Sequence, residues 1–155
     1  MSLFQRVRWM TGIGLAALIL PLAAAEGDWW LDVNVASKHI HPKRDFNEHN
    51  EGLGLTYGLS DTQAIAGGFF RNSDREQSRY LLYQYTPWAW HALHGGAVVG
   101  LIDGYPRMHS GGVFPMAALL LKVEGERLGA NLLLTPPYPA NDTPATLALQ
   151  LKVRF

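Results

Sequence analysis

The chain contains no cysteine among its 155 residues. Disulfides are therefore excluded, and so are thiolate nucleophiles and thiolate metal ligands. It lacks a charge excess of either sign, because 13 basic and 13 acidic residues cancel. That balance removes the electrostatic reason to expect nucleic acid as a partner. Beyond residue 25 there is no apolar run long enough to cross a bilayer as a helix.

Residues 1–25 read as a cleaved signal peptide. Arg6 and Arg8 supply a positive start, Trp9–Leu22 an apolar stretch, and Ala23-Ala24-Ala25 a small-residue cleavage site. Export without cysteine requires another source of stability. A closed barrel provides one, because every strand edge is paired. Residues 26–155 are expected to form one domain. They retain all 13 acids and 11 basic residues, a formal charge of −2.

The clearest signal is Ala145–Phe155. Ala145, Leu147, Leu149, Leu151, Val153 and Phe155 alternate with Thr146, Ala148, Gln150, Lys152 and Arg154. Strict period-2 alternation over eleven residues matches a tilted strand with one face to lipid and one to a lumen. Seven further strands are expected near 30–40, 52–59, 63–70, 79–86 (ended by Pro87), 90–102, 113–123 and 128–135. Long polar connections at 41–51, 71–78, 103–112 and 136–144 alternate with short ones. The fold class that follows is all-β: an eight-stranded antiparallel transmembrane β-barrel with short turns at one end and long loops at the other. A monomer embedded in the outer membrane is expected.

Alternation also assigns facing. In the first strand Leu31, Val33 and Val35 point to lipid, and Asp32, Asn34, Ala36 and Lys38 to the lumen. A salt-bridged plug is expected where Asp32 and Asn34 approach Gln150, Lys152 and Arg154. Small inward residues (Ala36, Gly52, Gly54, Thr56, Gly96, Gly100, Ala148) leave two alternatives for the loop half. It holds an apolar pocket, or Phe114 and Met116 fill it.

His39 ends the first strand, and Asn72-Ser73 opens the second long loop. If they converge, an imidazole beside a hydroxyl can act as general base, with Asn orienting the ring. His109-Ser110, beside Gly111-Gly112, reads as a turn. His41, His49, His91 and His94 show no metal-ligand pattern, so no metal is expected. Lys43, Arg44, Arg71, Arg75 and Arg107 suit lipopolysaccharide phosphates or belong to ordinary solvated loops.

Four ordered segments resemble the outer-membrane lipid A palmitoyltransferase (PagP-like) family, as a divergent short branch. They are Lys38-His39-Ile40; Arg44-Asp45-Phe46-Asn47-Glu48 with Gly52-Leu53-Gly54; Phe70-Arg71-Asn72-Ser73; and Val113-Phe114-Pro115-Met116-Ala117 with Thr135-Pro136 and the terminal strand. The resemblance implies acyl transfer from a phospholipid donor to a lipid A acceptor, without a cofactor. It places the catalytic residues at His39, Asn72 and Ser73, and a lateral lipid entry at Pro115 and Pro136. Arg71 and Arg107 are candidate phosphate contacts. Asn72 stands where the family has Asp, and the first two strands carry no proline. Lipid A deacylation and a non-enzymatic structural or receptor barrel are the alternative functions.

Overall fold

In a computed structural model, which describes residues 27–155, the chain closes into a barrel of eight antiparallel strands in sequential order. The expected signal peptide lies outside the described residues. The strands are β1 Trp29–His39, β2 His49–Gly58, β3 Gln63–Arg71, β4 Gln77–Trp90, β5 Leu93–Ile102, β6 Phe114–Glu124, β7 Leu128–Thr135 and β8 Thr146–Arg154. β1 pairs with β8 from Trp30↔Arg154 to His39↔Thr146, which closes the barrel. Connections 59–62, 91–92 and 125–127 form a turn end. Connections 40–48, 72–76, 103–113 and 136–145 form a loop end.

Period-2 patterning explains the burial. On β4, Ser78, Tyr80, Leu82, Gln84 and Thr86 are buried, and the intervening residues are exposed. The outward face is apolar; Leu81 is 57% exposed, and Leu53, Leu55, Ile65, Val99, Leu119 and Leu151 share its surroundings. Trp29, Tyr85, Trp88 and Trp90 are exposed near the turn end, with Trp90 at 63%. Such a belt would be an aggregation surface in water and is the pattern of a face that meets hydrocarbon with an aromatic rim.

Three strand expectations need correction. Pro87 does not end β4. The ladder to β5 shifts register between Tyr85 and Trp88, so the strand continues to Trp90. Proline lacks an N–H to donate, and a register shift leaves no ladder bond for it to break. Trp90 consequently belongs to β4 and pairs with Leu93, the first residue of β5. On β1, a bulge between Asn34 and Ala36 breaks the alternation. Asp32 and Asn34 do face inward. Beyond the bulge the parity inverts, so Lys38 turns out to solvent and His39 turns in.

The lumen divides into two halves. At the turn end the expected plug exists, with a partner the strand pattern did not indicate. Lys152, 1% exposed, donates to Glu124 Oε1 at 2.5 Å, and Lys122 lies 3.4 Å from Glu124 Oε2. Asp32 accepts from Thr56 Oγ1 at 2.5 Å. Arg154 instead pairs with Asp28 at the rim, 3.0 Å away. Above this network Gln150 Nε2 donates to Asn34 Oδ1 (3.1 Å) and Tyr80 Oη (3.3 Å), and Asn131 Nδ2 donates to Gln150 Oε1 (2.6 Å). Gly54 and Gly68 admit the Tyr80 hydroxyl. A Cβ on Gly54 would come within 2.2 Å of it. Of the glycines expected to face inward, Gly54 makes room for the floor, Gly52, Gly96 and Gly100 lie against the backbone of the neighbouring strand, and none of the four lines the pocket above.

Removing Lys152 leaves the buried Glu124 carboxylate with only the longer Lys122 contact, 3.4 Å away. Lys152→Met should therefore cost about 3 kcal/mol. Lys43→Met, at the exposed 3.7 Å contact with Asp142, should cost less than about 1 kcal/mol. Urea unfolding in detergent, followed by tryptophan fluorescence, measures both. Equal losses would contradict a buried network at the turn end.

Candidate functional site

The β1 bulge decides where the site forms. Two residues of β1 oppose one of β8 between Asn34↔Gln150 and Ala36↔Leu149. An extra residue exchanges the two faces of everything after it. His39 thereby lands on the lumen side opposite Thr146, 2% exposed.

The 40–48 loop is pinned to the 72–76 loop. Asn47 N–H donates to Ser73 O at 2.9 Å, and Asn47 Nδ2 to Asn72 O at 3.0 Å. These bonds hold the loop carrying Ser73 against the end of β1. The result is a direct contact between His39 Nε2 and Ser73 Oγ at 3.0 Å. The imidazole lies flat on Phe46, with centroids 4.2 Å apart and planes 9° apart, and the Arg44 guanidinium covers the far face of Phe46 at 3.9 Å. Arg44 in turn bonds Asp74 Oδ1 at 2.8 Å. The ring is thus fixed on one face by stacking and on one edge by the serine.

The carboxylate behind the ring is Glu48. Its Oε1 accepts the His39 backbone N–H at 3.0 Å and lies 3.6 Å from His39 Nδ1. Its Oε2 accepts from Lys38 Nζ at 2.9 Å. The His39 backbone N–H, and then the Lys38 ammonium, hold the Glu48 carboxyl down to about 2. It is therefore ionised at any physiological pH. On the other side of Ser73 stands Tyr105, whose hydroxyl interacts with the serine; burial, and then the charge of Asp74, push this phenol up, so it remains protonated.

Asn72 is placed differently from expectation. It does not reach the imidazole. Fully buried at 0% exposure, its Nδ2 donates to Ser78 Oγ (3.0 Å) and Gly104 O (2.8 Å). Its Oδ1 accepts from the N–H groups of Asp74 (2.9 Å) and Glu76 (3.0 Å). An amide with two donors and two occupied lone pairs is saturated here, so it shapes the loop that presents Ser73.

His39 and Ser73 open onto a cavity of about 170 Å³ in the loop half. Ala66, Leu82, Ile102, Phe114, Met116 and Leu133 form much of its wall, and Tyr80, Asn34 and Gln150 its floor. Of the two alternatives for this half, the pocket is present: Phe114 and Met116 line it without filling it. Of the small residues expected to face inward, Ala36 and Ala148 border it.

The barrel wall is weakest beside this cavity. β6 and β7 share only six residue pairs, ending at Leu119↔Leu134. Residues 114–118 of β6 are laddered to β5 alone. Pro115 lies in this stretch, and Pro136 follows directly after β7 and borders the cavity. Arg107 reaches the cavity mouth. Arg71 does not; it is exposed, and its Nε points to Arg75 O at 3.4 Å. Among the described residues no group of His, Asp or Glu is arranged to hold a metal ion.

Comparison with known families finds no family model that matches the chain, and no curated protein matches it. The site therefore rests on its own geometry. Sequence reading missed Glu48 and Tyr105 as parts of it. Glu48 carried a usable signal, since consecutive antiparallel strands bring the start of the second beside the end of the first. Tyr105 carried none, because long-loop geometry is not periodic.

The saturated Asn72 amide yields a prediction. Asn72→Asp removes both donors and places a carboxylate against Gly104 O. It should destabilise the barrel by about 2 kcal/mol, read from thermal or urea unfolding. Unchanged or raised stability would refute the loop-shaping role.

Proposed function

We propose that this protein is an outer-membrane acyltransferase that moves a palmitoyl chain from a phospholipid to a hydroxyl of lipid A. The observation that carries the reading is the 3.0 Å His39–Ser73 contact at the mouth of an apolar cavity inside a barrel. The apolar belt and aromatic rim support residence in a membrane, and residues 1–25 support export. The segments similar to lipid A palmitoyltransferases support the choice of substrates.

The chemistry follows from the placement of groups. A donor phospholipid enters sideways between β6 and β7, where Pro115 and Pro136 flank the short ladder. Its acyl chain already lies among apolar tails, so the usual gain of about 0.8 kcal/mol per buried CH₂ does not apply. The cavity acts by shape: it orders one chain and brings its ester to His39 and Ser73, which is positioning catalysis. His39 Nε2 takes a hydroxyl proton during attack and returns it to the leaving oxygen. Arg107 at the mouth faces lipid phosphates. The reaction needs no cofactor, and one barrel carries the whole site.

The same His–Ser contact also serves a reaction in which water is the acceptor, which makes lipid A deacylation the second reading. Mass spectrometry of lipid A from cells with and without the gene separates the two. One added palmitoyl group supports transfer, and one lost acyl group supports hydrolysis. No change in mass would leave a non-enzymatic barrel. Under the transfer reading, His39→Ala and Ser73→Ala each abolish the gain while heat-modifiable gel migration shows an intact barrel.

A further inference from the structure

We propose that Ser73 is a nucleophile that carries the acyl group covalently, with His39 as its base and Glu48 as the carboxylate that orients the base. The inference rests on the acyl-ester reading of the same site, and it assigns a covalent intermediate and a role to Glu48.

The His39 ring is buried. His39 Nε2 meets a hydroxyl at 3.0 Å, whereas Nδ1 has no hydrogen-bond partner among the described residues. If Nε2 accepts the serine proton, Nδ1 carries the ring hydrogen, and a buried N–H needs an acceptor. The group facing it is Glu48 Oε1 at 3.6 Å. Closing that gap by under an ångström makes a charge-assisted bond, and such bonds are commonly loose before substrate arrives. Glu48 is already held in place by the His39 backbone N–H and by Lys38, so this closure needs little motion. Serine, imidazole and carboxylate then form a continuous relay whose serine faces the acyl cavity. The Tyr105 hydroxyl, which stays protonated, lies beside the Ser73 side chain.

Atoms balance in both halves. Ser73 Oγ bonds to the ester carbonyl carbon as its proton passes to His39 Nε2. The tetrahedral adduct collapses, the bond to the glycerol oxygen breaks, and His39 gives that oxygen the proton, which releases a lysophospholipid. An acceptor hydroxyl then gives its proton to His39 and attacks the Ser73 ester, and the serine regains its proton as the acyl group leaves.

The test is labelling of the folded, full-length barrel in detergent with a long-chain alkyl fluorophosphonate. Ser73 Oγ attacks phosphorus, fluoride departs, and the adduct is located by peptide mass spectrometry. One adduct on Ser73 is expected. His39→Ala should slow labelling by about 10²- to 10⁴-fold. Glu48→Gln keeps an acceptor for the His39 backbone N–H but loses the charge, so it should lower the maximal labelling rate at least about tenfold without changing the probe concentration at half-saturation. Glu48→Asp should restore part of that rate. A change confined to the half-saturating concentration would make Glu48 merely structural and overturn its assignment. No adduct on Ser73, or labelling indifferent to His39→Ala, would overturn the nucleophile. Because the probe involves no lipid A, specific labelling with an unchanged lipid A mass would sustain this inference and defeat the palmitoyl-transfer reading. A gain of one palmitoyl group on lipid A with no adduct on Ser73 would do the reverse.

Discussion

The site depends on the parity of one strand. Side chains of a β-strand alternate between two faces, so a residue count decides whether His39 looks into the barrel or out of it. Read from Asp32 with unbroken alternation, His39 faces outward and Lys38 inward. The bulge between Asn34 and Ala36 reverses this. It places a buried imidazole on the lumen side and sends an ammonium to solvent, where its charge costs little. Lys38 then remains available to hold Glu48 from outside.

A second constraint separates stability from chemistry along the barrel axis. The turn half is filled by Glu124 paired with Lys152 and Lys122, by Asp32 bonded to Thr56, and by a layer in which Gln150 joins Asn131, Asn34 and Tyr80. The loop half is hollow. A cavity removes packing contacts and is tolerated here because the ladder pairs the backbone around almost the full circumference. The pairing yields beside the cavity, along residues 114–118, where β6 has no β7 neighbour. Under the proposed reading, the same gap that weakens the wall is the route by which a lipid reaches the imidazole.

The loops act through one another. Asn47 bonds the backbone at Ser73 and Asn72, and Asn72 ties its own loop to Ser78 and Gly104. The serine that meets His39 is thus placed by contacts from both neighbouring loops. This explains why Asn72 stands beside Ser73 in sequence without touching the ring. It also explains why the orienting carboxylate comes from Glu48, nine residues beyond the imidazole in the chain and across the first hairpin.

Periodicity carried the strand number, the antiparallel order, the alternating loop lengths and most inward residues, as β8 illustrates from Thr146 to Lys152. These features repeat every two residues, so a local window is enough to read them. It also brought His39 and Ser73 to the same end of the barrel. Events that interrupt the period were illegible: the β1 bulge, the continuation of β4 through Pro87, and the partnership of Lys152 with Glu124 from a strand not its neighbour. Each is settled by closure of the barrel and by contacts between residues far apart in the chain. Whether the loop half was hollow or filled, and which acid stood behind the imidazole, were set by how eight strands and four loops pack together, a balance of shapes and hydrogen bonds that no single segment contains.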